Sequence, residues 1–287
     1  MQEKDFPGLY QASDQLSKES QNGFFRALST HLFLLVIAAT LSVGSVPHWG
    51  IAFAQVLILL GALFCSIYLF TKRPDRLWYS GRAVAESIKT ITWRYVTRAE
   101  PFQHDDAVSS ALFQRKLRAV VSQNGDVADK LITHLEEPPI SDIMKRLRSQ
   151  TLLERQATYS AERIADQLSW YAKKARFNAK ASWWAFTLLV VVNAMAVMVG
   201  VAKVAYPDAS YWPTDVLVAV AASLLSWMQA KRFSELSASY ALTAHEIGII
   251  REQSHQEMDE VEFSLFVGDA ENAFSREHTQ WVARKDS

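Results

Sequence analysis

The sequence predicts an all-α integral membrane protein, with four transmembrane helices in two hairpins and a cytoplasmic helical bundle of long helix extensions. Three observations predict it. Residues 27–71 contain no Asp, Glu, Lys or Arg, and residues 181–202 form a second uncharged run. One bilayer crossing needs about 20 mostly apolar residues, because the hydrocarbon core is about 30 Å thick and a helix rises about 1.5 Å per residue. The third observation is that basic residues gather on one side of these runs.

In order, residues 1–23 are polar, carry Pro7 and Gly8, and are expected to form a mobile tail. Phe24, Phe25 and Arg26 then form an interfacial collar. Two apolar runs follow, Leu32–Val46 and Ile51–Phe70, parted at Pro47 and Gly50 by a turn. About 25 polar residues precede the first run and a second run follows at once, which argues against a cleaved signal peptide. The first hairpin and its following helix occupy 24–100. Lys72, Arg73 and Arg76 close the hairpin, and a helix with a loose apolar stripe runs on to Pro101. Residues 101–139 are expected as a helical linker, interrupted near Gly125 and ended by Pro138 and Pro139.

The segment 140–287 holds the second hairpin with long cytoplasmic helices. From Ile140 to Val199 there is neither Pro nor Gly; Ile143, Leu147, Leu152, Ile164, Leu168 and Tyr171 keep helical spacing, with charges on the other faces. This stretch runs through Lys173, Lys174, Arg176 and Lys180 into the third apolar run, which opens with Trp183 and Trp184. A turn at 206–213 leads to a fourth run, Val216–Ala230, short alone but anchored by Trp212 and by snorkelling Lys231 and Arg232. The basic flanks place both termini and the central region in the cytoplasm, and a bacterial inner membrane fits this topology. At an offset of 159 residues Lys72 pairs with Lys231, Arg73 with Arg232, Ile88 with Ile247 and Ile91 with Ile250. The order of elements repeats with them, so the chain is a parallel duplication.

Composition narrows function. The 30 basic and 30 acidic residues cancel, giving no signal for nucleic acid, and the one cysteine, Cys65, lies in an apolar run. No phosphate-binding glycine loop, nucleophile elbow or metal-ligand spacing is present, so no catalytic residue, metal or cofactor is expected and the chain reads as a non-enzyme. His245-Glu246 and Glu277-His278 read as solvated helix surface. The polar residues inside the apolar runs are more informative, because polar groups in hydrocarbon face protein or water. They are Gln55, Asn193, Ser223, Ser226 and Gln229, and Ala219, Ser223 and Ser226 share a narrow small-residue face. Such a face suits both helix packing and a polar path through an oligomer.

Near the C-terminus, Asp269-Ala270-Glu271-Asn272-Ala273-Phe274-Ser275-Arg276-Glu277-His278-Thr279-Gln280-Trp281 lies on a helix with a broad apolar face. With the Trp170–Ala175 approach to the third run, this motif resembles the SLATT family of two-transmembrane effectors, associated with nucleotide-second-messenger synthases and nucleotide-sensing domains. The resemblance covers residues from about 150 to the end, and the first half looks like a diverged second copy. It implies a homo-oligomeric defence effector that forms a pore or disrupts the membrane, causing growth arrest or death. The bilayer and a nucleotide-signalling or sensor protein are the implied partners. A membrane-anchored helical scaffold that binds a signalling partner is the alternative.

Overall fold

The structure, a computed structural model, describes residues 1–43, 49–209 and 211–285, with side chains at 126 and 276–285 excepted, and all of its regular elements are helices. The helices are α1 Gly8–Ser42, α2 Trp49–Lys72, α3 Pro74–Val96, α4 Asp106–Gln123, α5 Gly125–Ala128, α6 Asp142–Arg148 and α7 Leu152–Thr158. A π-helical segment, Tyr159–Ile164, leads into α8 Ala165–Ala205, followed by α9 Thr214–Lys231, α10 Phe233–Gln253 and α11 Glu260–Lys285. Pro47 and the rest of 44–48, expected as a turn, lie outside the described residues, as does Ser210.

Three helical stretches among the described residues are long and apolar enough to cross a membrane: Gly8–Ser42, Trp49–Val96 and Leu152–Ala205. The 18-residue α9, expected as a fourth crossing, is not among them, because Asp215, Gln229 and Lys231 dilute its apolar content.

The chain divides into two units. One, the hairpin unit, comprises Asn22–Arg73 and Lys173–Tyr240; the other, the helical unit, comprises Met1–Gln21, Pro74–Ala172 and Ala241–Ser287.

Within the helical unit, the first correction concerns the N-terminus. Residues 1–23 are not a free tail: α1 starts at Gly8, and Phe6, Tyr10, Ala12, Ser13 and Ser17 are buried. The reason is a close α1–α3 crossing. A Cβ on Gly81 would stand 3.1 Å from the Ser13 carbonyl oxygen and 3.1 Å from the Ser17 nitrogen, so the missing side chain lets the backbones meet. The Ser17 hydroxyl donates to the Trp78 carbonyl at 3.2 Å. Arg82 of α3 pairs with Glu86 at 2.8 Å and lies 3.9 Å from Asp14.

The second correction concerns 101–139. This stretch is more than a linker, because α4 and α5 both pack on α3 and bury Phe113, Leu117, Val120 and Val127. Tyr95 and Phe113 meet with ring centroids 4.7 Å apart.

The third concerns 140–171, expected as one helical run with its charges outside. It breaks between α6 and α7, because Thr151 caps α7 in a reciprocal box with Glu154. Arg148, Arg155 and Arg163 are buried. Each has partners that offset the loss of water, which the local pattern does not reveal.

Within the hairpin unit, α1 and α2 are tied by polar side chains, and Gly61 admits Leu34 at close range. Phe25 of α1 meets Trp227 of α9 edge to face at 5.7 Å, and the Lys231 ammonium sits 3.3 Å from the Phe25 ring centroid.

The repeat is visible in the architecture. The offset of 159 superposes α1 on α8, α2 on α9, α3 on α10 and α4 on α11 in sequence. Ile88 and its counterpart Ile247 are both buried. Arg73 and Arg232 share a left-handed backbone, with φ of 42° and 52°. That conformation is rare for a residue with a Cβ, and it ends α2 and α9 at the same point of each repeat. The second helix of each hairpin is therefore not simply prolonged, because a one-residue break separates it from the helix that follows.

Candidate functional site

Two clusters of polar side chains stand out, one in each unit.

In the hairpin unit the polar residues of the first hairpin are engaged between its helices. The Gln55 amide donates to the Ser42 hydroxyl at 2.6 Å and to the Ala38 carbonyl at 3.2 Å. One turn of interaction further along, His31 Nδ1 lies 3.0 Å from the Ala62 carbonyl oxygen and 3.3 Å from the Ser66 hydroxyl. Ser66 itself donates to Ala62. His31 was not singled out from sequence, although a ring nitrogen within an apolar run was signal enough.

The second hairpin differs. The Asn193 amide donates only to the Leu189 carbonyl of its own helix, at 2.8 Å, and the Ser226 hydroxyl to Ala222 at 2.9 Å. Asn193, Ser226 and Gln229 are exposed, and Ala219 and Ser223 are half-buried. No hydrogen bond joins Asn193 to Ser223 or Ser226 among the described residues. Gln55 thus ties one hairpin together, while the other five candidates face outward or lie at its edge. Replacing Gln55 with Leu is expected to cost about 0.6 kcal/mol, the typical worth of an interhelical hydrogen bond in a membrane protein. Thermal unfolding in detergent measures this.

Of the basic residues that flank the apolar runs, Lys72, Arg73, Lys173, Lys174 and Arg176 are exposed. Lys231 is held over Phe25 and Trp227, and Arg232 pairs with Glu235.

In the helical unit the C-terminal motif is explained by a buried ion pair. Glu271 is fully buried and accepts from Arg163 Nε at 2.8 Å and Nη2 at 2.7 Å, a two-point contact. It also accepts from the Tyr159 hydroxyl at 3.0 Å and the Thr90 hydroxyl at 3.0 Å. Tyr159 and Arg163 both lie in the π-helical segment, whose wide turn presents both to one carboxylate. Burial, the largest single influence, lowers the pKa of Arg163, but the charge and hydrogen bonds of Glu271, with Tyr159 and Glu86, together outweigh it and the net shift is upward. Burial, then the same carboxylate, raises the Tyr159 phenol well above its usual range. Arg163 also lies over the Phe274 ring at 5.0 Å.

The rest of the motif divides by face. Val267, Ala270 and Phe274 are buried with Glu271, and Asp269 is exposed. The side chains of Arg276, Glu277, His278 and Trp281 lie outside the described residues. Arg94 of α3 reaches across α11, donating to the Gly268 carbonyl at 3.0 Å and to Asn272 at 2.7 Å.

Thr90, Tyr159 and Arg163 were not predicted as site residues. A lone Arg in an amphipathic helix looks solvated until its carboxylate partner, 108 residues away, is known.

A cleft of about 510 Å³ opens beside the start of α1. Leu9, Leu117, Val121, Leu131 and Leu135 line it, with Arg118 and His134 among its polar groups, and none of the predicted site residues lies in it. Among the described residues no cluster of His, Cys, Asp and Glu could hold a metal ion.

Residues 7–156 match the sequence profile of the SMODS and SLOG-associating 2TM effector domain 3, SLATT_3. Residues 159–281 match that of the SMODS and SLOG-associating 2TM effector domain 1, SLATT_1. The two matches meet at the start of the π-helical segment, and each contains one hairpin and the helices after it. No curated protein and no solved structure matches the chain.

Proposed function

We propose, on the premise that this chain belongs to the SMODS and SLOG-associating 2TM effector (SLATT) family and carries two of its domains in tandem, that it permeabilises the bacterial inner membrane as a homo-oligomer. In this reading each domain contributes a two-helix hairpin, so α9 is the fourth crossing. Its length of 18 residues, about 27 Å as a helix, is extended by Trp212 and Lys231 at the interfaces. Both termini and the helical unit lie in the cytoplasm, where a nucleotide-signalling or sensor protein is the expected partner.

The observation that carries the reading is the contrast between the hairpins. Gln55 and His31 find partners inside theirs, whereas Asn193, Ser226 and Gln229 are left exposed. Exposed amides and hydroxyls in hydrocarbon are costly, and neighbouring subunits or a water-filled path relieve that cost. A ring of subunits that turns this face inward supplies both.

The test is ion release from liposomes carrying the purified protein, against empty vesicles and an ionophore. The parent is expected to leak, and the triple variant Asn193→Leu, Ser223→Leu, Ser226→Leu to release ions at least about tenfold more slowly. Equal leakage by the two would sink the proposed path. Activity in cells that survives exchange of all crossings for unrelated anchors would favour the membrane-anchored scaffold instead.

A further inference from the structure

We infer that α4 of one copy docks on α10 of the next, joining subunits head to tail in the way that α11 docks on α3 within a chain. The inference rests on the homo-oligomer reading above and deepens it by naming the contact.

The repeat supplies the argument. Helix α3 receives α11 on the face marked by Thr90 and Arg94. At the offset of 159 those positions become Ile249 and Gln253 of α10. That face of α10 is uncovered, with Ile249 63% and Leu242 64% exposed. The docking face of α11, made of Val267, Ala270, Glu271 and Phe274, becomes Val108, Ala111, Leu112 and Arg115 of α4. Helix α4 is rotated so that Val108, Ala111 and Arg115 of this face are exposed and Leu112 is half-buried at its edge. It buries Ser109, Phe113, Leu117 and Val120 against its own chain and leaves Val108 50% exposed. Both halves of a second α3–α11-type contact are therefore present on every chain, and both are open.

The chemistry changes in a consistent way. The hydrogen bond between Thr90 and Glu271 corresponds to Ile249 opposite Leu112, two aliphatic side chains. Charge is complementary as well. Helix α4 carries Arg115, Lys116 and Arg118 against Asp106, while residues 241–253 of α10 carry Glu246 and Glu252 against Arg251. A surface that receives a different surface of the next copy makes a heterologous contact, which closes into a ring or runs on as a filament. A ring of this kind is what the proposed path requires.

The full chain with Cys65→Ala is the background for testing it. Two single-cysteine variants, Leu112→Cys and Ile249→Cys, are given different tags, mixed in detergent micelles and oxidised. The expected product is a disulfide between the two tags, and the double variant should give a ladder of covalent multimers. An Ile249–Ile249 disulfide as the main product would overturn the inference in favour of a symmetric dimer. A double variant that closes within one chain, or no disulfide at all, would overturn it too. Independently, Leu242→Lys with Ile249→Lys is expected to weaken self-association by at least about tenfold in sedimentation, since both side chains lose their burial. Association unchanged by the pair would also overturn it. The readouts separate the two proposals. Leaky vesicles without the mixed disulfide would sink the contact alone, and the mixed disulfide with tight vesicles would sink the pore alone.

Discussion

Glu271→Ala is expected to destabilise the helical unit by about 3–5 kcal/mol, the cost of leaving one member of a buried ion pair without the other. The Arg163 guanidinium would keep only its contact over Phe274 and would lose the carboxylate that holds its charge in an interior position. The Tyr159 and Thr90 hydroxyls would lose an acceptor in the same step. Thermal unfolding followed by circular dichroism in detergent measures the loss. Glu271→Gln should recover part of it, because an amide oxygen still accepts from Arg163. The double variant Glu271→Leu, Arg163→Met should recover more, since removing both charges also removes their desolvation cost. A single variant within about 1 kcal/mol of the parent would mean that water or another group satisfies Arg163.

Arg148→Met is the second large effect, again about 3–5 kcal/mol. The buried guanidinium donates to the carbonyls of Tyr95 at 2.6 Å, Phe102 at 3.0 Å and His104 at 3.0 Å. It also donates to the Ser109 hydroxyl at 2.9 Å and to Asp106 at 2.8 Å, and it stacks over Tyr95. One side chain thus satisfies the end of α3, the following loop and the start of α4. Met fills most of the volume but leaves those acceptors unpaired. Arg148→Lys is expected to rescue little, because one ammonium cannot reproduce the planar fork that reaches all of them. Denaturant midpoints of the three proteins decide this, and a Lys variant equal to the parent would refute the shared-hub account.

Arg148 and Arg163 also mark where sequence reading stops. An apolar run declares itself residue by residue, because the bilayer imposes its length and polarity on each crossing separately. The repeat is legible for a related reason: both copies solve the same local problem, and the Lys-Arg pairs at 72–73 and 231–232 stand at the same point of each. The tail helix was legible as an apolar face, and Val267, Ala270 and Phe274 occupy it. Glu271 was legible only as part of a motif.

A buried charge is different, since its burial is permitted by a partner whose position only the fold supplies. Arg163 lies 108 residues from Glu271, and Arg148 lies 42 from Asp106. The same holds for the N-terminus. Its composition resembles a tail, yet Gly81 opens a groove that residues 6–17 fill. The break at Thr151 was readable in principle from its capping box with Glu154, but unbroken helical spacing on both sides masked it.

By itself, then, the sequence determined the helical class, the long apolar helices that are candidate membrane spans, the tandem repeat and the family. Each of these follows from local pattern or from comparing one half of the chain with the other. Only the tertiary structure decided which charges are interior and which polar groups of the hairpins are already satisfied. It also decided which helix faces are left open. Those outcomes depend on contacts between distant segments, where the energy of a polar group is set by what meets it and not by its neighbours along the chain.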